Sequence, residues 1–315
     1  MSPKASPEGS RSPQRSGFRF LEPAALQGLR NLRLAARRIV EGSFAGSHRS
    51  RLRGSSVEFA DYREYTPGDD LRRLDWKALG RMGRPYLRTY DEETNLRCIF
   101  VLDRSSSMNF PRIQNERFWT KLEYARYLLA ATAYLVAQSR DQVGLAVGGG
   151  GLDQYIEAQS GFGHLDLILH AIEGITTEPK TNLGAVLNEL FPRLRRRAML
   201  VIFSDFLEPS SAELFQALRI CRHHHFEVIL FHVIDPRERE LPEGASYRFR
   251  DPEGPAFVDA APSEIRLAYR EGFTRFLEET RRQALASGCD YERVDTDVPY
   301  PEVLRRFLRL REAKG

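Results

Sequence analysis

Asp103, Ser105, Ser107, Thr181 and Asp205 are the residues of this chain whose types best suit shared chemistry. They supply two carboxylates and three hydroxyls, an all-oxygen set of hard donors. Such a set fits Mg²⁺ or Mn²⁺ rather than a softer ion. The first three lie in the run Asp103-Arg104-Ser105-Ser106-Ser107, directly after the apolar segment 98–102. Asp205 closes a second apolar segment, Leu200-Val-Ile-Phe-Ser-Asp205, and Thr181 stands at the start of a helical pattern. No nucleophile–base pair accompanies them, so the set points to binding rather than catalysis. Taken singly, the same residues are ordinary caps and turn formers. Their joint occurrence at strand ends is what makes the metal reading specific.

The chemistry follows from the donor types. Hydroxyls are neutral, so three of them leave a divalent ion only partly offset. Mg²⁺ prefers six oxygens and keeps several waters. An ion with an exchangeable water is a Lewis acid seeking an anion, and a partner's Glu or Asp would fill that corner. Asp205 is expected to reach the ion through water.

The elements that must bring these residues together are legible as a change of pattern near residue 97. Strands are expected over 97–103, 142–147, 154–157, 198–204, 226–234 and 291–294. Helices are expected over 121–139, 165–175, 182–195, 210–224 and 301–311. Alternation of this kind predicts an α/β, Rossmann-like fold, a mostly parallel sheet with helices on both faces. Ligands of such sheets bind at the carboxyl ends of the strands, where Asp103 and Asp205 stand. An insertion over 236–288 carries a hairpin about Asp251-Pro-Glu-Gly254 and a helix over 262–287.

Upstream, residues 1–17 are rich in Ser, Pro and Arg and read as a disordered leader. Residues 18–96 form a charged subdomain that opens with an amphipathic helix over 23–40. In it Asp61, Glu64, Asp69, Asp70 and Asp75 are interleaved with Arg63, Arg72, Arg73 and Lys77. Ion pairing or a charged docking face is expected there, with Tyr65 and Trp76 packed in a small core.

Composition limits the function classes. A net charge of +4 over 315 residues, with both signs interspersed, offers no basic stripe for nucleic acid. Three separated cysteines read as reduced core thiols, which suits a cytoplasmic protein. The longest uncharged stretch, 127–139, is too short for an integral membrane segment of about 20 residues. His223-His224-His225 lacks chelating spacing and reads as charge at a helix C-terminus. Gly148-Gly-Gly-Gly151 is followed by no Lys-Ser/Thr and reads as a flexible, hairpin-like connection.

Two motifs carry a resemblance. Asp103-x-Ser105-x-Ser107, Thr181 and Asp205 are similar to the metal-ion-dependent adhesion site of von Willebrand factor A domains. The block Arg53-Gly-Ser-Ser-Val-Glu-Phe-Ala-Asp-Tyr-Arg-Glu-Tyr-Thr-Pro-Gly-Asp-Asp-Leu-Arg-Arg-Leu-Asp-Trp-Lys77 resembles the signature of the "domain of unknown function 58" proteins. That resemblance runs from about residue 25 to the C-terminus. It implies a von Willebrand A-like fold over 97–315, a metal site, and a role as adaptor or chaperone-like partner of a MoxR-type AAA+ ATPase. Some members carry N-terminal membrane helices; this chain shows none and is expected to be a soluble variant. The expected function is therefore a non-enzymatic protein-binding module that coordinates a partner's acid through a cation. The alternatives are a metal-dependent, phosphatase-like hydrolase using the same ion as Lewis acid, and a scaffold with an empty site.

Overall fold

The computed structural model describes residues 57–64, 79–80, 86–92, 96–111, 119–180, 182–194, 198–208 and 211–314. The leader, the helix expected over 23–40, Tyr65, Asp69 to Trp76, and Thr181 lie outside the described residues. The chain divides into two compact units, with the division between Leu96 and Arg97. Within the first, β1 (Val57–Glu64) pairs antiparallel with β2 (Tyr86–Glu92), with a register shift between Phe59 and Asp61.

In the second unit a six-stranded sheet is built from β3 (Arg97–Asp103), β4 (Gln142–Gly148), β5 (Leu152–Gln159), β6 (Ala198–Ser204), β7 (Glu227–Ile234) and β10 (Asp290–Asp295). Its order is β10-β7-β6-β3-β4-β5, with every neighbouring pair parallel except β4–β5. The chain leaves β3 toward one side of the sheet and returns to its other side at β6. The β3–β6 boundary is thus the topological switch point, where loops diverge and a crevice opens. This is the α/β, Rossmann-like architecture, a mostly parallel sheet with helices on both faces, that the alternation predicted.

Burial on both faces explains the unbroken apolar strands. One face, Ile99, Val101, Leu200, Ile202, Val228 and Leu230, packs against α3 (Leu183–Leu190), α4 (Ser211–His223) and the end of α5 (Pro262–Ala286). On the other face Phe100, Phe203, Phe231 and Phe307 run ring to ring at centroid separations of 6.3, 5.2 and 5.0 Å. There α1 (Lys121–Gln138) contacts β3, β4, β6 and β7, and is itself flanked by α2 (Phe162–Glu173) and α6 (Tyr300–Lys314). Close approach of α3 to α4 depends on Gly184, where a Cβ would lie 2.9 Å from the Leu214 amide nitrogen.

Three expectations shift in detail. The helix expected over 182–195 ends at Leu190 and tightens into a 3-10 turn, Phe191–Arg193. Pro192 has no N–H to continue the ladder. β5 is longer than expected and forms an antiparallel edge. Finally, the glycine run is a packed turn rather than a flexible one. Gly149 is buried, its carbonyl accepts from the Asn182 amide at 2.7 Å, and a Cβ there would lie 2.5 Å from Glu178 Oε1.

The insertion forms the hairpin β8 (Tyr247–Arg250) and β9 (Phe257–Ala260), followed by α5. Twenty-five helical residues span about 37 Å, whereas the six residues of β10 span about 20 Å. The buried α5 positions after its first residue are Thr280 and Ala284, near its C-terminus. Tyr269 donates to the Glu238 carbonyl at 2.6 Å, level with the end of β7. The turns before Tyr269 therefore rise past the carboxyl rim of the sheet. No helix among the described residues is long and apolar enough to cross a membrane.

Candidate metal centre

Asp103 is the last residue of β3, and Asp205 directly follows β6, the neighbouring parallel strand. Register brings Leu102 opposite Phe203, so the two acids leave the sheet side by side at the switch point. Both are fully buried. Asp103 is held from two sides: the Ser105 amide donates to its Oδ1 at 2.8 Å, and the Ser204 hydroxyl to its Oδ2 at 2.5 Å. Ser105 Oγ and Ser107 Oγ are 3.0 Å apart, and the Ser107 side chain hydrogen-bonds to Asp205. Four of the five expected ligands, Asp103, Ser105, Ser107 and Asp205, thus converge at one buried point. Thr181, the fifth, lies outside the described residues. Its neighbour Asn182 accepts from the Ala185 amide at 2.8 Å and so caps α3.

Arg104 ties the surrounding loops together. Its guanidinium reaches Asp153 Oδ2 at 2.7 Å, Glu178 Oε2 at 2.5 Å and the Thr176 carbonyl at 3.1 Å. Glu178 Oε1 accepts from the Gly150 amide at 2.9 Å, and Ser106 Oγ donates to the Glu178 carbonyl at 3.0 Å. One arginine–glutamate pair therefore joins the loop after β3, the β4–β5 turn and the segment leading to residue 181.

Four residues of this centre carry no sequence signal that reading along the chain would detect. Lys121, at the start of α1, is 0% exposed. Its ammonium lies 2.6 Å from Asp205 Oδ2 and also contacts Glu238 Oε1. The other Asp205 oxygen accepts from the Leu207 amide at 3.1 Å. The remaining two are Ser204 and Glu208. Ser204 was visible only as a neighbour of Asp205. Lys121 and Glu238 are 84 and 33 residues from Asp205, too far for any local pattern to join them.

Electrostatics separate the carboxyls. Burial and the neighbouring Asp205 push Asp103 up to about 7, opposed by the donors Ser204 and Ser105. Burial also penalises the charge of Asp205, but the Lys121 ammonium overrides it and holds this carboxyl below its ordinary range. Glu208, three residues on, is pushed up to about 8 by burial and by Asp103. Among the described residues no three His, Cys, Asp or Glu side chains gather closely enough to hold a metal ion by themselves. A cation held here would depend on hydroxyls and water, as a hard ion allows.

The chain from Asp205 to Glu208 is shaped by Phe206, whose φ of 52° is left-handed. That conformation costs roughly 1–2 kcal/mol for a residue with a Cβ. It is held by the buried Phe206 ring, edge-on to His232 at 5.2 Å, and by the Phe206 amide donating to Ser204 Oγ at 2.8 Å. Behind the site His232 is fully buried, 2.7 Å from the Tyr291 hydroxyl, and burial pulls it down to about 3. His223, His224 and His225 are exposed at the end of α4, away from this centre.

Comparison with known proteins places the chain. Uncharacterized proteins of Mycobacterium bovis and Mycobacterium tuberculosis are each 30% identical to it over 257 residues, 81% of this chain and 78% of theirs. Among solved structures, the conserved hypothetical protein BatB from Bacteroides thetaiotaomicron is 18% identical, over 70% of this chain and 98% of that one, with a TM-score of 0.46. The SpRpn10 VWA domain is 11% identical, over 67% of this chain and 94% of that one, with a TM-score of 0.39. The family described as "Protein of unknown function DUF58" matches residues 61–281, and the chain belongs to that family.

Proposed function

We propose that this protein is a non-enzymatic binding module whose rim holds Mg²⁺ or Mn²⁺ and, through it, an acidic side chain of a partner protein. Asp103, Ser105, Ser107 and Thr181 would hold the ion, with Asp205 reaching it through water. The supporting observation is the convergence of Asp103, Ser105, Ser107 and Asp205 from two strand ends 102 residues apart. Lys121 sharpens the reading. Its ammonium occupies one Asp205 oxygen and offsets that charge, so Asp103 meets most of the ion's charge. An ion so weakly neutralised keeps its appetite for an external carboxylate. The family's usual company makes a MoxR-type AAA+ ATPase the proposed partner. The cytoplasm is the proposed compartment, supported by three buried, unpaired thiols.

Capture of the purified ATPase on immobilised protein tests this directly. Capture is expected in millimolar Mg²⁺ and is expected to vanish with EDTA or Asp103→Ala. Capture indifferent to both would remove the metal bridge. Ion that binds only the native state must also raise Tm, because it adds about 2.7 kcal/mol of stability at 100-fold excess over Kd. Turnover of a phosphoester panel that Asp103→Ala abolishes would overturn the non-enzymatic reading.

A further inference from the structure

Glu208 Oε1 is buried and has no hydrogen-bond partner. The Glu208 carboxyl accepts from the Leu183 amide at the start of α3, and of the acids around it Asp103 opposes its charge most. The other carboxylates of the rim are provided for. Asp103 takes the Ser105 amide and the Ser204 hydroxyl, and Asp205 takes Lys121, Ser107 and the Leu207 amide. A buried acceptor left without a donor costs about 1–3 kcal/mol, more when charged. Glu208 is not among the buried residues of the apolar core. It lies half-buried on a loop, brought back toward Asp103 by the left-handed Phe206 and the Glu208 amide bonding to the Phe206 carbonyl at 3.0 Å.

We propose that Glu208 is a positioning residue for a hydrated divalent cation, its orphaned oxygen accepting a hydrogen bond from a water on the ion. This inference rests on the cation site proposed above and extends it. Asp103, Asp205 and Glu208 do not gather closely enough to hold an ion by themselves, which suits a contact made through water. Mg²⁺ and Mn²⁺ retain coordinated waters whose protons need acceptors. Glu208 then meets one need of the ion while the ion's water meets the need of Glu208. It also accounts for an acid placed against Asp103, where a charge is unfavourable unless a cation lies nearby.

Calorimetric titration of the full chain with Mn²⁺ separates this from the parent reading. Wild type is expected to bind one ion, Asp103→Ala none, and Glu208→Gln the same ion 10- to 100-fold more weakly, the usual loss for an outer-shell acceptor. The amide of Glu208→Gln still accepts from Leu183 and carries no charge to bury. Its Tm in EDTA is therefore expected to equal or exceed that of wild type. Wild-type Mn²⁺ affinity in Glu208→Gln, with binding still lost in Asp103→Ala, would overturn the role of Glu208 and leave the site standing. So would a lower Tm in EDTA without a change in affinity, which marks a helix-end acceptor only. No Mn²⁺ binding by wild type, or undiminished binding by Asp103→Ala, would overturn both.

Discussion

At the scale of single residues, the centre is an exercise in charge balance without solvent. Lys121 is the residue on which this balance turns, because Asp205 and Glu238 are buried against it. Replacing it by Met keeps the volume and leaves two buried carboxylates unpaired. Breaking a buried pair this way costs about 3–5 kcal/mol. The expected result for Lys121→Met is a fall in Tm on the order of 10 °C, read by thermal melting. His232 offers a test of dryness. Its folded pKa lies below the ordinary 6.5, so its contribution to stability is fully present above that value and is lost as pH falls toward about 3. Its ring signals in NMR should stay constant from about pH 8 to about pH 5, where an exposed imidazole titrates. A midpoint near 6.5 would show that solvent reaches the ring.

At the scale of elements, positions that look replaceable prove to be spacing devices. Gly184 sits in α3 where a Cβ would meet Glu213 Cγ at 2.7 Å as well as the Leu214 backbone. Gly184→Ala gains helix propensity but forces α3 from α4. Overpacking of this kind costs about 1–3 kcal/mol. We expect a net loss of stability in denaturant melts, against the gain that propensity alone predicts. Arg104 acts on loops rather than on the core. Both of its ion pairs are partly exposed, at 23% for the arginine, so their direct worth to stability is small. Arg104→Ala should leave Tm nearly unchanged and raise amide exchange in segment 176–180. A large fall in Tm would assign the arginine to the core instead.

For the whole molecule, burial predicts where rigidity lies. β3, β4, β6 and β7 are apolar on both faces and should show the slowest amide exchange, near the global unfolding limit. The hairpin β8–β9 is mostly exposed, with Phe257 at 57% and Val258 at 62%. Replacing 245–260 by a short Gly-Ser linker should therefore leave the melt of the sheet within a few degrees of wild type.

Local pattern determined the strands and helices of the second unit because each buries a periodic apolar face, and periodicity survives without a partner. Asp103 and Asp205 were legible for the same reason: an acid that ends an apolar strand must stand at a rim. Pro192 and the glycine run were harder. A helix stop and a buried turn differ from their alternatives by contacts that only the neighbouring segment supplies. Lys121, Glu238 and Glu208 could not be read along the chain at all. A lone lysine or glutamate resembles any solvated charge until the sheet order carries it inside. Tertiary structure alone decided which acid received the ammonium, which received hydroxyls, and which was left with an empty lone pair. Burial makes those choices matter, since inside the protein each unmet charge or acceptor carries a cost that water would erase.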